Sequence, residues 1–192
     1  QFLKFLDRLL VWFTTHILVD GQSQRQFLIA NKIITDKNSE VLGKGSISGV
    51  DVQKFNPSSE IRNLYREQLN FQNNDVVFAF LGRMNTDKGI LDLAKAFQKL
   101  HADFSNVKLL LIGFDEENMQ EKIREMHTEN IIYFGPTPKP HEVLQAADVF
   151  CLPSYREGFG TSVIEASLLE LPIICSDTYG LAETIIENKT GL

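Results

Sequence analysis

Val76-Val77-Phe78-Ala79-Phe80-Leu81, followed by Gly82-Arg83-Met84-Asn85-Thr86-Asp87-Lys88-Gly89 and then by Ile90-Leu91-Asp92-Leu93-Ala94-Lys95-Ala96-Phe97, is the stretch that decides the fold. An unbroken apolar run ended by a glycine reads as a strand covered on both faces, the habit of parallel sheets. After the loop, Leu91, Ala94, Phe97 and Leu100, with Ile90 and Leu93, recur at three-to-four spacing, the apolar stripe of a helix lying on a sheet. The same strand, loop, helix unit recurs downstream. Apolar runs at Val107–Ile112, residues 131–134, Val149–Leu152 and Ile173–Cys175 predict strands, and residues 90–101, 116–127, 141–147, 162–171 and 182–187 predict helices. Such alternation specifies an α/β, Rossmann-like, doubly wound parallel sheet. Ligands of these sheets bind beyond the carboxyl ends of the strands, so the loops that follow strands are where chemistry is expected.

Upstream the pattern changes. Residues 1–13 and 23–31 predict helices around a short apolar run at residues 17–19, and then comes the glycine-rich stretch Gly43-Lys44-Gly45-Ser46-Ile47-Ser48-Gly49-Val50-Asp51. We read residues 1–36 as the end of one domain and residues 37–192 as a second. At 192 residues with 43% hydrophobic content, the chain holds one substantial core plus a fragment. A net charge of -6 argues against nucleic acid as a partner, so an anionic ligand needs a local basic pocket. Cys151 and Cys175 lie in apolar runs and read as buried, structural thiols in a reducing compartment. No run approaches the roughly 20 apolar residues of a membrane span, and the opening residues lack the marks of a signal peptide. The sequence starts without Met and stops after a turn signal, and is read as an excerpt of a longer protein. His16, His101, His127 and His141 show no metal-ligand spacing, so no metal is expected.

Two loops carry candidate chemistry. In residues 82–89, Arg83 and Lys88 flank flexible backbone directly before a helix, a compact receptor for a diphosphate. In residues 153–166, Gly158 and Gly160 permit close backbone approach to a ligand, Glu157 lies in the loop, and Glu165 lies about one turn inside the next helix. Carboxylates so placed can accept hydrogen bonds from ribose and sugar hydroxyls.

Gly82-Arg83 with Asp87-Lys88-Gly89, then Glu157-Gly158-Phe159-Gly160 with a second glutamate, Glu165, after seven intervening residues, then Pro172, Gly180 and Glu183, resemble family 4 of the retaining glycosyltransferases over roughly residues 40 to 192. The glycine-rich loop ending in Gly49-Val50-Asp51, with Phe55-Asn56-Pro57 after it, resembles the loop that opens this family's donor domain. The resemblance implies a GT-B architecture, two Rossmann-like domains facing a cleft, of which this chain is the C-terminal half with a remnant of the N-terminal one. It implies that Arg83 and Lys88 neutralise the donor diphosphate and that Glu157 sits by the donor sugar. It further implies that Glu165 binds the ribose and that Gly158, Phe159, Gly160 and Thr161, with Gly82 and Gly45, line the donor site. No cofactor or metal is implied, because the nucleoside diphosphate sugar, most commonly UDP-linked, is itself a substrate. The acceptor, a saccharide or a lipid-linked saccharide, would be bound by the missing domain. The implied setting is polysaccharide assembly in the cytoplasm, at the inner face of the membrane, with peripheral association of the full protein.

The pattern departs from relatives at Glu170-Leu171-Pro172, where they place a glycine two residues before the proline, a position that favours the left-handed conformation, and in having a single glycine at Gly180. A nonhydrolysing sugar-nucleotide epimerase of the same fold would need its own acid and base in the cleft. Against a non-catalytic nucleotide-binding module, the presence of both Lys88 and Glu165 argues that the pocket has not decayed, and a dinucleotide oxidoreductase lacks its G-x-G-x-x-G fingerprint here. The excerpt alone is expected to bind nucleotide without transferring sugar, and to self-associate through its open interdomain face.

Overall fold

The structure, a computed structural model, describes residues 2–192. In chain order its elements are α1 (Phe2–Trp12), β1 (Ile17–Leu18), α2 (Gln22–Ala30), β2 (Ser39–Glu40), α3 (Ser59–Gln68), β3 (Val76–Leu81), α4 (Ile90–Asp103), β4 (Val107–Ile112), α5 (Met119–Arg124), β5 (Ile131–Gly135), α6 (Pro140–Val143), β6 (Val149–Leu152), α7 (Thr161–Leu168) and β7 (Ile173–Cys175). The expected helix over residues 1–13 is α1; its first residue, Gln1, lies outside the described residues.

The larger sheet has five parallel strands in the order β5-β4-β3-β6-β7. The chain winds outward from β3 to β5, then returns to the other side of β3 for β6 and β7, so the topological switch lies between β3 and β6. This is the doubly wound sheet expected from the apolar runs. Val77, Ala79 and Phe80 of β3, Leu109 to Ile112 of β4 and Phe150 and Leu152 of β6 are buried, as strands covered on both faces require. Ile90, Ala94 and Phe97 of α4 close one side of that core. Cys151 is buried on β6, and that burial pushes its thiol up to about 12; Cys175 on β7 is also raised, by burial and then by Asp177. Both are protonated, inert thiols at neutral pH.

Three expected helices depart clearly from the periodicity, two of them shortened and one absent. Over residues 116–127 the helix is confined to α5, because Asp115 accepts from the amides of Glu117, Met119 and Gln120 while Asn118 turns left-handed at φ 55°. Over residues 141–147, α6 passes after Val143 into a 3-10 turn. Residues 182–187 form turns instead of a helix. There the chain bends so that Gly191 bridges Ile173 and the backbone of residues 190–192 hydrogen-bonds β7.

Helix α3 sets Tyr65, and Leu69 just after it, against the core. Its one buried residue is Arg66, whose guanidinium donates to the carbonyls of Ala146 (3.0 Å), Gln72 (2.7 Å) and Asp75 (2.9 Å) and pairs with Asp148 at 3.3 Å. Arg62, one turn earlier, reaches Asp148 at 2.5 Å. Asp148 also accepts from Val77 N at 2.8 Å, so these arginines tie α3 to the central pair β3 and β6.

Helix α7 ends at Leu168, and Glu170, where relatives place glycine, takes φ 60°. A side chain in that left-handed region costs about 1–2 kcal/mol, and Glu170 is exposed. Glu170→Gly is therefore expected to stabilise the chain by about 1 kcal/mol, a rise of roughly 2–4 °C in Tm for a domain of this size. Thermal unfolding followed by circular dichroism checks this, and a lower Tm would contradict it.

The first forty residues form a smaller body. Ile17 and Leu18 pair in parallel with Ser39 and Glu40, and Val19, Ile33 and Ile34 make a second small core. Helix α1 turns its basic side inward: Arg8 donates to the carbonyls of Asn31 and Lys32 at the end of α2, while Phe5, Leu10, Trp12 and Phe13 face solvent. No helix among the described residues is long and apolar enough to cross a membrane.

Candidate functional site

Beyond the carboxyl ends of β3 and β6, two loops meet. Gly89 closes the first at φ 67°, and a Cβ there would lie 2.1 Å from the carbonyl oxygen of Pro153 in the second. Only glycine allows that left-handed turn with backbone against backbone. The amide of Tyr155 donates to the carbonyl of Asp87 at 2.8 Å, and Arg156 pairs with the Asp87 carboxylate at 2.5 Å, so Asp87 ties the loops together beside the contact.

The seam borders a cleft of ≈ 330 Å³ lined by Arg83, Asn85, Asp87 and Lys88 from the first loop, Arg156, Glu157 and Gly158 from the second, Gln24 from α2, and Tyr179 from farther along the chain. Lys88 and Glu157 form an ion pair inside it, with side chains only 17% and 11% exposed. Ser154, fully buried, donates to the same Glu157 oxygen at 2.9 Å. Arg83 differs: its side chain is 67% exposed and pairs with Glu116, in the loop after β4, at 2.9 Å. Asn85 donates to the other Glu116 oxygen at 2.7 Å, and hydrogen bonds from Asn85 and then Arg83 hold that carboxyl below the usual glutamate range. Two helices open at the loops without side-chain caps, α4 at Gly89 and α7 at Gly160. Uncapped amino ends favour negative charge. The arrangement can hold an anionic group by cations and backbone amides together.

Of the residues picked from the sequence, Arg83, Lys88, Glu157 and Gly158 line this cleft. Gly82 directly follows β3, extended at φ 158°, and does not line the cleft. Gly160 begins α7 and Thr161 is its first residue. Phe159 packs toward Gly45, where a Cβ would lie 2.7 Å from its ring and from the Asp20 carbonyl; neither Phe159 nor Gly45 borders the cleft itself. Glu165 is half-buried on α7, and burial raises its pKa, opposed by Lys54. Ser154, Asn85 and Glu116 were not picked, since each matters only through a partner in space; the nearest sequence signal was the serine three positions before Glu157. A second hollow of ≈ 370 Å³ lies between α3 and the end of α7, but its Arg62 and Gln145 are already engaged in holding α3.

The Glu165 side chain makes no hydrogen bond or ion pair among the described residues, so its ionised form stands against desolvation without a partner. A glutamate whose folded pKa lies above its ordinary 4.5 binds more protons folded than unfolded, so its contribution to stability falls as pH rises from about that value through the raised one. Glu165→Gln is expected to be more stable than the parent at pH 7, with the difference vanishing below pH ~4. Thermal melts across that range check it, and equal pH profiles would refute it.

The comparisons bear on what this site serves. The family described as glycosyl transferases group 1 matches residues 61–192. The capsular polysaccharide biosynthesis glycosyltransferase CapM of Staphylococcus aureus is 28% identical over 98% of this chain and 50% of its own length. An N,N'-diacetylbacillosaminyl-diphospho-undecaprenol alpha-1,3-N-acetylgalactosaminyltransferase of Campylobacter jejuni is 31% identical over 75% of this chain and 38% of its own. Among solved structures, a glycosyltransferase from Rickettsia africae aligns with TM-score 0.79 at 24% identity, covering 93% of this chain and 48% of that one. Anabaena HepE in complex with UDP and glucose aligns with TM-score 0.75 at 21% identity, covering 94% and 49%. The chain thus spans about half the length of CapM. The family match takes in every strand of the larger sheet and both loops of the cleft, and the chain belongs to the group 1 glycosyl transferases.

Proposed function

We propose that this chain is the donor-binding half of a retaining glycosyltransferase of GT-B architecture, taking a nucleoside diphosphate sugar, UDP-linked, and passing the sugar to a saccharide or lipid-linked saccharide. The observation that carries the reading is the joining of the β3 and β6 loops, which sets Lys88 against Glu157 and Arg83 at the rim of one cleft at the switch point. In transfer, the bond between the anomeric carbon and the diphosphate oxygen breaks, one to the acceptor oxygen forms on the same face, and the acceptor hydroxyl's proton passes to the departing diphosphate. The departing diphosphate gains negative charge. Lys88, Arg83 and the amino ends of α4 and α7 are placed to stabilise that charge by preorganised electrostatics, which is why we propose no metal and no cofactor in the step.

Glu165, half-buried and unpartnered, suits the ribose diol, and Glu157 the sugar. Residues 1–36 are assigned to the acceptor half and 37–192 to the donor half. The HepE complex with UDP and glucose supports the choice of nucleotide, and the name of the Campylobacter relative supports a lipid-linked acceptor. The reading sets the full protein in the cytoplasm, at the inner face of the membrane. Because donor and acceptor must be held together for transfer, the chain alone binds nucleotide but makes no product, and it self-associates through the solvent-facing aromatics of α1. Calorimetric titration with UDP, GDP and ADP, paired with product analysis on lipid-linked acceptors, tests the reading. Preferential UDP binding without turnover supports it; no binding of any of the three would overturn it.

A further inference from the structure

Helix α2 begins without a cap of its own. Gly21 stands at the N-cap in extended conformation, with no side chain to take up the first amides. The acceptor comes from Glu183, far along the chain: one carboxylate oxygen accepts from Gln22 N at 2.9 Å, and the other from Ser23 N at 3.2 Å and Ser23 Oγ at 2.6 Å. A Cβ on Gly21 would sit 2.2 Å from that second oxygen, so the glycine makes room for the carboxylate. Ser23 Oγ in turn accepts from Gly180 N at 2.8 Å, and the Gly180 carbonyl accepts from Gly160 N at 2.9 Å. Gly180, left-handed at φ 81°, lies so close to the second loop that a Cβ would be 2.5 Å from the Glu157 carbonyl oxygen. Beside this path Phe27 of α2 stacks on Tyr179, ring centroids 4.5 Å apart.

A helix ordinarily takes its cap from the residue just before it, and a local serine or aspartate at position 21 would serve. Supplying the cap from the other body makes the start of α2 depend on how the two bodies sit. We propose that Glu183 is a positioning residue: by capping α2 across the interface, with Ser23 as relay, it holds the Gly180 turn and through it the loop of residues 157–160. Glu157 is then kept at Lys88 only while the bridge is made. This rests on the donor-cleft reading for its consequence in catalysis, though not for the bridge itself.

Hydrogen exchange resolved to single amides, on the 192-residue chain, tests it. Glu183→Ala and Ser23→Ala are each expected to speed exchange at Gly160 at least about fivefold, the scale of a lost N-cap. The double variant should exceed the stronger single by little, as members of one network do. Faster exchange at Gln22 alone is what a purely local cap gives, so Gly160 is the deciding amide. In titrations, Glu183→Ala should weaken UDP-glucose about fivefold and leave UDP within about twofold, because the sugar end is what meets residues 157–160. Unchanged exchange at Gly160 in both folded variants overturns the proposal. Should Glu183→Ala not fold, Ser23→Ala, which removes one hydroxyl, decides it. If the parent chain binds no nucleotide, the donor reading falls, while the exchange result still decides the bridge.

Discussion

Replacing Lys88 with alanine is expected to weaken nucleoside diphosphate binding at least tenfold while the sheet stays folded. A charge-assisted hydrogen bond contributes about 1.5–3 kcal/mol, and 1.4 kcal/mol is a factor of ten. Lys88 merits the upper part of that range for two reasons visible in its surroundings. Its side chain is largely buried and already fixed by Glu157, so little freedom remains to be lost on binding. Its removal also leaves the Glu157 carboxylate without its ion-pair partner, so that it would repel the ligand. Arg83 is the contrast. Its exposed guanidinium is shared with Glu116 and screened by solvent, so Arg83→Ala is expected to cost less and to depend more on salt. Calorimetry with UDP at low and moderate ionic strength measures both. Unchanged affinity in a folded Lys88→Ala variant would remove Lys88 from the site.

Gly89→Ala is expected to be the most damaging single-methyl change in the cleft. Alanine at φ 67° costs about 1–2 kcal/mol in backbone conformation. Its Cβ, 2.1 Å from the Pro153 carbonyl, must also force the two loops apart, and overpacking of this kind adds about 1–3 kcal/mol. Together these lower the Tm by roughly 10 °C. The hydrogen bond from the Tyr155 amide to the Asp87 carbonyl is lost with the contact, so UDP affinity should fall along with stability. Gly49→Ala separates the two contributions, because Gly49 has a similar φ of 65° and nothing within 4 Å of its missing Cβ. It should show only the conformational part, without loss of binding. A Gly89→Ala variant no less stable than Gly49→Ala would mean that the loops do not meet as described.

The strands were legible because burial on both faces leaves no polar position to blur a run such as Val76 to Leu81, and β3, β4, β6 and β7 fall where the apolar runs lie. Helix α3 was less so: Ile61, Leu64, Tyr65 and Leu69 do recur at helical spacing, but its buried residue is Arg66, held by Ala146 and Asp148 from some 80 positions away, which no periodicity records. Residues 182–187 looked helical, yet Glu183 is committed to α2 and the backbone after it to β7. In the site, Lys88 and Glu157 could be picked because each follows a strand and precedes a helix. Their contact could not be read from spacing, nor could the hold of Ser154 on Glu157 or of Glu116 on Arg83, whose partner is 33 positions away.

The placement of β3 between β4 and β6 also sets an order of events in folding. Strands β3, β4 and β5 are successive in the chain, so their pairing closes short loops, whereas β6 must return across the whole excursion to reach the other edge of β3. Lys88 and Glu157, 69 positions apart, come together only when that late edge docks. A nucleotide in the refolding mixture would then find nothing to grip until the search is nearly over. It would retard unfolding far more than it hastens folding, and its capture would serve as a clock for the last step.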